Sequence, residues 1–304
     1  MSFDINPQGC EVQKLNAVIG IDIGGTKTLI IIRSLSGEIL YEQSIPSNRD
    51  CLVLKSLIDN AIDECGLNSS EIKGLAMGIP GRIDPKKQLV IDAPGLSWKN
   101  LSLADELFRF YDFPCRVEND GTMALIAETV SGKAKDTDNC IIIVIGTGLG
   151  GAIMVNGRII AGVHHSAGEI GYCIFEDNVK DKIQNRTGNF GFLESRISGT
   201  ALESRISGMT PQELFATYLS KSGDNSEIVD AFIYRLSVTI ANLVSILDPG
   251  TVIIGGGVSK SLEPFIGAIR ENVAKLTPIE AQIEISGYFN RAGAIGACIR
   301  AEME

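Results

Sequence analysis

The stretch AVIGIDIGGTKTLIIIR, residues 17–33, joins two apolar runs through a short turn that contains two glycines. The first run, Ala17–Ile23, and the second, Thr28–Arg33, have the pattern of buried strands on either side of that turn. Residues 37–44 predict a third strand, and no helix pattern lies between the three. The beginning of the chain is therefore predicted to be an antiparallel meander.

The first turn has the composition of a phosphate-binding loop. Its residues are Gly24, Gly25, Thr26 and Lys27. Glycine permits positive φ and lets backbone N–H groups approach phosphate oxygens, while the threonine and the lysine add a hydroxyl donor and a positive charge. Asp22, beside the turn, is placed to hold Mg²⁺ directly or through water, since hard cations prefer carboxylate oxygens. A Walker A loop is excluded because Thr26 stands where the lysine belongs and a strand follows.

A second glycine turn follows an apolar run at Cys140–Ile145. Residues 146–151, GTGLGG, match the Gly-x-Gly-x-x-Gly pattern of dinucleotide sites. Residues 152–155 are predicted as a strand, however, and Asn156-Gly157 as a type I′ hairpin turn, so no helix N-terminus would meet a pyrophosphate. Either glycine turn alone is equally explained by an ordinary hairpin, but two of them suit a nucleotide in a cleft. The predicted phosphate contacts of the second turn are Gly146, Thr147 and Gly148.

Composition narrows the class of protein. The chain has 304 residues, 44% of them hydrophobic, and a formal net charge of −10, which is typical of a globular protein and argues against a nucleic-acid binder. No apolar run reaches the ~18 residues of a membrane span, and residues 1–16 lack the features of a signal peptide. Seven scattered cysteines without a Cys-x-x-Cys pair, and only two histidines, indicate a cytoplasmic protein without structural zinc.

Strand and helix patterns alternate along the rest of the chain, and the glycine hairpin occurs once in each half. This predicts an α/β protein of two similar domains with a hinge near residue 118. Residues 1–118, joined by the C-terminal helix 290–304, are predicted to form the N-terminal sugar and phosphate domain. Residues 119–289 are predicted to form the C-terminal nucleotide-binding domain, with a long amphipathic helix at about 226–247.

Five motifs in this order resemble those of the ROK (repressor, open reading frame, kinase) family of sugar kinases, from about Ala17 to the C-terminus. They are DIGGTK at 22–27, VEND at 117–120, GTG at 146–148, AGEIG at 167–171 and IGGG at 254–257. The resemblance implies the two-domain actin-like, hexokinase-like ATPase fold with ribonuclease H-like domains. It also implies ATP with Mg²⁺ in the cleft, a small-molecule sugar beside it, and a cytoplasmic homodimer that engages neither nucleic acid nor membrane.

By this resemblance Asp120 is the base that accepts the proton of the attacking sugar hydroxyl. The alternative role of this position is a helix N-cap, which Asn119 or Asp120 would fill. The implied sugar-binding residues are Gly81, Asn119, Asp120, Glu169, Tyr172 and Glu194, and the implied turn beneath the adenosine is Gly255, Gly256 and Gly257. Because the LESRISG segment at 193–199 recurs at 202–208, Glu203 is an alternative to Glu194.

The zinc ligands of the family are absent together. The histidine after Gly-Glu-x-Gly is Tyr172 here, and the three cysteine positions are Asn185, Thr187 and Phe192. We therefore expect a zinc-free variant whose loop is held by packing. A tyrosine at this position resembles the β-glucoside kinases of the family, so glucose, the first expectation, has N-acetylmannosamine, allose and β-glucosides as alternatives.

The resemblance leaves two other functions, a transcriptional repressor and a non-catalytic sugar sensor. Its repressors carry a winged helix-turn-helix domain before the first glycine motif, whereas only residues 1–16 precede Ala17 here. A non-catalytic sugar sensor is expected to have lost Asp120 or the turn at Gly146, and both are present. The sequence therefore favours a kinase.

Overall fold

The computed structural model describes residues 16–175, 192–221 and 225–303, which form strands and helices along most of their length. The strands are β1 (Ala17–Ile23), β2 (Lys27–Ser34), β3 (Ile39–Pro46), β4 (Ile72–Ile79), β5 (Arg82–Asp84), β6 (Leu89–Ala93), β7 (Trp98–Ser102), β8 (Cys115–Asn119), β9 (Cys140–Ile145), β10 (Leu149–Val155), β11 (Arg158–Ile159), β12 (Thr251–Gly255) and β13 (Gln282–Ile285). The helices are α1 (Cys51–Glu64), α2 (Leu103–Glu106), α3 (Asp120–Ser131), α4 (Glu194–Ile197), α5 (Gly199–Glu203), α6 (Pro211–Ser220), α7 (Ser226–Leu247), α8 (Ile266–Leu276) and α9 (Ala292–Glu302).

Two five-stranded sheets share one topology. Their strand orders are β3-β2-β1-β4-β8 and β11-β10-β9-β12-β13. In each sheet an antiparallel meander provides three strands, a fourth strand pairs parallel with the first strand of that meander, and a fifth pairs parallel with the fourth. The predicted repetition of one strand pattern in both halves of the chain is therefore confirmed.

Strand β1 lies at the centre of the first sheet and is apolar on both faces, because both faces are covered. Ile19 and Ile21 point into the core beneath α1, whereas Val18 packs with the terminal helix α9 on the other face. Gly20 permits this approach, since a Cβ there would collide with the carbonyl oxygen of Ala294 in α9. The end of the chain thus returns to cover the sheet that its beginning forms.

The second glycine turn is shorter than predicted. Strand β10 already begins at Leu149, and Gly151 pairs with Ile143 of β9. A Cβ on Gly151 would lie 2.5 Å from the carbonyl oxygen of Ile142, so this glycine serves close strand packing and not the turn. The predicted hairpin at Asn156-Gly157 is confirmed, with φ of 50° and 69° as a type I′ turn requires.

Helix α7 is the longest helix in the described part of the chain. By length and composition it is apolar enough to cross a membrane, whereas no segment of that kind was predicted from the sequence. Half of its most apolar 18-residue segment is buried. Phe232, Leu236 and Ile240 lie in the core beside the second sheet. Packing in that core accounts for the hydropathy of the helix.

A third sheet, β5-β6-β7, was not predicted, because its strands are short and lack a clear alternation of apolar residues. Trp98 begins β7, is almost fully buried, and donates its indole N–H to the carbonyl oxygen of Arg49. The tryptophan is therefore a packing residue. The small sheet also carries Gly81 and Pro94 at its edge, next to the large cleft.

Candidate active site

A cleft of about 600 Å³ lies between the two large sheets. Both glycine turns face it, and the hydroxyl oxygens of Thr26 and Thr147 are 3.5 Å apart across it. The residues that line it include Asp22, Gly24, Gly25, Thr26, Lys27, Gly81, Asn119, Asp120, Gly146, Thr147, Gly148, Glu169, Tyr172, Glu194, Gly256 and Gly257. Tertiary structure thus brings together candidate residues that are far apart in the sequence.

The first turn is held from below by Ser47 at the end of β3. The Ser47 hydroxyl donates to the carbonyl oxygen of Gly24 at 2.6 Å, and its backbone N–H donates to that of Thr26 at 3.0 Å. The amide of Gly24 is used within the turn, where it donates to the carbonyl oxygen of Lys27. Gly25, Thr26 and Lys27 are exposed in the cleft, so their donors remain accessible to an anionic ligand.

The second turn rests on the start of α5 and on Glu194. Gly199 donates its amide to the carbonyl oxygen of Gly146 at 2.8 Å, and the Thr200 hydroxyl donates to that of Thr147 at 2.8 Å. A carboxylate oxygen of Glu194 accepts the amide of Leu149 at 2.8 Å. These contacts fix the turn. Glu194 lies beneath the turn and also lines the cleft.

Asn119 and Asp120 stand where β8 ends and α3 begins. Asn119 is the N-cap: its side-chain oxygen accepts the amide of Thr122 at 3.1 Å, and its amide group donates to the carbonyl oxygen of Gly81 at 3.0 Å. The capping role therefore falls to Asn119. The Asp120 carboxylate accepts the amide of Gly121 at 2.8 Å and lines the cleft.

The acidic groups of the cleft interact with one another. Burial raises the pKa of Asp22 to about 8, and the neighbouring Asp120 contributes. Burial also raises the pKa of Asp120, although the amide of Gly121 opposes the shift. The pKa of Glu169 rises to about 7 because of burial, Asp120 and Glu194, with Arg82 acting in the opposite direction. The cleft therefore crowds carboxyl groups together, so that ionisation of one disfavours ionisation of its neighbours.

The carboxyl groups of the cleft are suited to bind a divalent cation that enters the cleft together with phosphate. Within the described ranges, the causes of the raised pKa of Asp22 are burial and Asp120, and no cationic side chain offsets them. No group of three or more metal-binding side chains occurs there either. Mg²⁺ commonly uses one or two carboxylates together with substrate phosphates, which is what Asp22 beside the first turn would offer.

Of the three glycines predicted to form the turn beneath the adenosine, two reach the cleft. Gly256 has a φ of 88°, and a Cβ there would lie 2.5 Å from the carbonyl oxygen of Ile145, so this turn requires glycine. Gly257 is exposed beside it, whereas Gly255 is the buried last residue of β12 and does not line the cleft.

The two copies of the duplicated segment take different positions. Glu194 lines the cleft, whereas Glu203 is exposed at the end of α5 and is not among the lining residues. Glu169 lines the cleft too, and Tyr172 lies at its mouth with 52% of its surface exposed. Gly81 has a φ of 99°, and a Cβ there would collide with the carbonyl oxygen of Asp92. Asn185 and Thr187 lie outside the described residues.

Sequence reasoning missed several lining residues that come from the end of the chain. They are Phe289, Asn290, Ala292 and Gly293. A Cβ on Gly293 would lie 2.5 Å from the Asp22 carboxylate, so the start of α9 closes the floor of the cleft. In the sequence, the small residues of AGAIGA, 292–297, were the feature that could have indicated this close approach. Outside this group, the imidazole Nε2 of His165 lies 3.9 Å from the Asp84 carboxylate.

Comparison with known proteins places these features in a family. The family model described as "ROK family" matches residues 18–303. A glucokinase of Halalkalibacterium halodurans is 28% identical, covering 91% of this chain and 92% of its own length. A β-glucoside kinase of Listeria innocua is 29% identical over 92% of this chain and 95% of its own. A xylose repressor of Caldicellulosiruptor bescii is 27% identical over 94% of this chain and 77% of its own.

The fold has a close counterpart among solved structures. A ROK family glucokinase from Streptomyces griseus, in complex with glucose and AMPPNP, superposes with a TM-score of 0.80. The match covers 95% of this chain and all of that one at 24% identity, which is a likeness of fold. The predicted α/β, actin-like and hexokinase-like fold is thereby confirmed, whereas the predicted domain boundaries stay a prediction.

Proposed function

The chain belongs to the ROK family, and from this we propose that it is a sugar kinase that transfers the γ-phosphoryl group of ATP to a primary hydroxyl of a hexose. The observation that carries the proposal is the position of Asp120. Its carboxylate lines the same cleft as the two glycine turns and as Glu169 and Glu194, whose carboxylates are suited to sugar hydroxyls. A carboxylate between a phosphate site and a polyol site is placed for phosphoryl transfer to a hydroxyl.

Asp120 would act as the general base. The proton of the attacking hydroxyl passes to its carboxylate as the new P–O bond forms, and the bond between the γ-phosphorus and the bridging oxygen of ADP breaks. A base works best when its pKa is near the operating pH, and burial moves the pKa of Asp120 in that direction. The bond from the Gly121 amide holds one oxygen and thereby orients the carboxylate.

The neighbours of Asp120 would orient the sugar. Asn119 is fixed as a cap and tied to Gly81, so its position changes little when a ligand binds. Glu169 and Glu194 supply carboxylate acceptors, which form stronger hydrogen bonds with hydroxyls than neutral groups do. Such rigid acceptors place the reacting oxygen in line with the phosphorus.

Phosphate would be held by the two turns. The exposed donors of Gly25, Thr26 and Lys27 on one side, and of Thr147 and Gly148 on the other, converge on the same space. Mg²⁺, held by Asp22 directly or through water, would neutralise charge that develops on the phosphate oxygens. Gly256 and Gly257 would support the nucleoside part.

Glucose is the proposed substrate, and the relationship to a glucokinase supports it. N-acetylmannosamine, allose and β-glucosides are the alternatives, and the relationship to a β-glucoside kinase favours the last of these. The half-exposed Tyr172 lines the cleft, where it would be able to contact a substituent on the sugar. A homodimer located in the cytoplasm remains our prediction.

A non-catalytic sugar sensor is the second candidate, because a xylose repressor is among the relatives. Such a protein needs the sugar site but neither a base nor a phosphate turn. Here Asp120 and the turn at Gly146 are both present and face one cleft, which favours catalysis.

The proposal is tested by measuring sugar-dependent ADP release with MgATP for glucose, N-acetylmannosamine, allose and a β-glucoside. We expect at least one sugar to stimulate release, and Asp120→Asn to lower kcat by about 10²- to 10⁴-fold while the sugar still binds. Asp63→Asn, an exposed change on α1, is the matched control and should leave kcat unchanged. Sugar binding without any ADP release in the wild type would instead identify a sensor.

A further inference from the structure

The end of α3 opposite Asp120 holds a buried acidic side chain. Glu128 is completely buried, and its two carboxylate oxygens accept the hydroxyl of Ser286 and the amide of Lys133. Ser286, just beyond β13, is also buried. A buried carboxylate is costly unless hydrogen bonds satisfy it, and here they do.

Ser286 also holds the loop that follows it in place. Its hydroxyl oxygen accepts the backbone amides of Tyr288 and Phe289, each at 3.1 Å. Phe289 has a φ of 50°, a left-handed conformation that bulky residues rarely adopt without support from their surroundings. The hydrogen bonds from Glu128 through Ser286 are the support that the structure shows.

The restrained loop faces the nucleotide side of the cleft. Phe289 and Asn290 line the same cleft as Gly256 and Gly257, and the ring of Phe289 is part-exposed. The ammonium of Lys260 lies 5.8 Å from the centre of that ring. An aromatic face beside a cation is suited to a nucleobase, which stacks on such rings.

We propose that Phe289 contacts the nucleoside part of the phosphoryl donor, and that Glu128 and Ser286 are positioning residues that hold it there. The inference rests on the proposed function, since it requires a nucleotide donor. In this proposal the donor is contacted by Phe289, near the end of the chain, as well as by the glycine turns. The hydrogen bonds through Ser286 and Glu128 connect this contact to α3, the helix that begins with Asp120. Removing the ring should therefore weaken the nucleoside contact and leave the phosphate contacts intact.

The test compares binding of AMPPNP and of inorganic tripolyphosphate, by calorimetry in the presence of Mg²⁺. Phe289→Ala should weaken AMPPNP about 5- to 100-fold, the range of an aromatic–base contact, and leave tripolyphosphate binding unchanged. Phe110→Ala is the matched control. Phe110 is a part-exposed ring with the cations of Lys55 and Arg109 over it, and it does not line the cleft.

The positioning role has its own readout. Ser286→Ala should raise the KM for ATP several-fold and leave the KM for the sugar unchanged, whereas a general structural defect would alter both. Glu128→Gln keeps an acceptor for the Ser286 hydroxyl and should lie between the wild type and Ser286→Ala. Ser245→Ala, which removes a hydroxyl bonded to Ala241 and Thr277 away from the cleft, should change neither KM.

Each result decides a separate point. Equal AMPPNP binding by Phe289→Ala and the wild type would overturn the inference while the proposed function stands. A parallel loss of tripolyphosphate binding would also overturn it. Failure of the wild type to bind AMPPNP would overturn the proposed function and the inference together. Because Phe289 lies at the surface of the cleft, its alanine variant gives a result even if the buried variants fail to fold.

Discussion

Asp120 is the residue through which the acids of the cleft influence one another. It contributes to the raised pKa of both Asp22 and Glu169, although both are far from it in sequence. A cleft that gathers carboxyl groups with raised pKa values has the electrostatics of a functional site. A cation bound with phosphate would lower these pKa values again.

Glu194 and Glu203 offer an internal control at the scale of single residues, because each stands second in a copy of the LESRISG segment. Glu194→Gln keeps an oxygen for the Leu149 amide but removes the charge that faces the cleft. We expect the KM for the sugar to rise about tenfold or more, since hydrogen bonds to a charged acceptor are the stronger ones. Glu203→Gln, on the exposed end of α5, should leave it unchanged.

Steady-state kinetics across sugar concentrations at saturating ATP provides this measurement. Equal effects of the two substitutions would show that the position of Glu194 in the cleft has no bearing on sugar binding. Both proteins should show the thermal stability of the wild type.

At the scale of elements, helix α3 connects the halves of the molecule. Asn119 caps its N-terminus at the first sheet, and Glu128 in its last turns is bonded to Ser286 beyond the second. One face contributes Met123 to the cluster around α9, and another contributes Leu125 to the cluster around the second sheet. A helix apolar on several faces is expected when it is enclosed on several sides.

The contact between α3 and α9 depends on Gly296. A Cβ at this position would overlap the carbonyl oxygen of Met123, which is backbone and has no alternative position without moving α3. We expect Gly296→Ala to lower the free energy of unfolding by at least about 2 kcal/mol through overpacking. Urea unfolding followed by circular dichroism measures it.

Gly267 is the matched control for this change. It is an exposed glycine in α8, and nothing lies within 4 Å of where its Cβ would be. Gly267→Ala should raise the free energy of unfolding by up to about 1 kcal/mol, since alanine is the better helix former. If the two alanine variants had similar stability, close packing of α3 on α9 would not be the reason for the glycine.

At the scale of the whole molecule, the acids of the cleft make stability depend on pH. The pKa of Asp22 is about 8 in the folded protein against 3.8 ordinarily. Between these values the folded state holds a proton that the unfolded chain has released, so stability falls as the pH rises. The contribution is complete below about pH 4 and is lost as the pH passes through about 8.

Asp22→Asn should therefore flatten this dependence. The change in slope for one carboxyl group is at most about 1.4 kcal/mol per pH unit. The free energy of unfolding, measured without ligands at several values between about pH 5 and 8, should fall more steeply in the wild type than in Asp22→Asn. Asp63→Asn, on the exposed face of α1, should keep the wild-type slope. Parallel curves for the wild type and Asp22→Asn would contradict the assignment.

Local sequence determined the elements that carry the glycine turns. Apolar runs interrupted by glycine specify buried strands and tight turns, because strand burial and positive φ are properties of a few neighbouring residues. Hence the meander from Ala17 and the hairpin at Asn156-Gly157 were predicted from sequence alone and are confirmed. The β5-β6-β7 sheet was not, because strands of three to five residues carry too little periodicity.

Only the tertiary structure decided which residues share the cleft. It brings Asp22, Asp120 and Glu169 within electrostatic reach, selects Glu194 over Glu203, and adds Phe289 and Gly293 from the end of the chain. It also buries Gly255, which was predicted to lie in the turn beneath the adenosine. The physical reason is that proximity across two sheets depends on how α3 and α9 pack, and such long-range packing leaves no periodic pattern in the sequence.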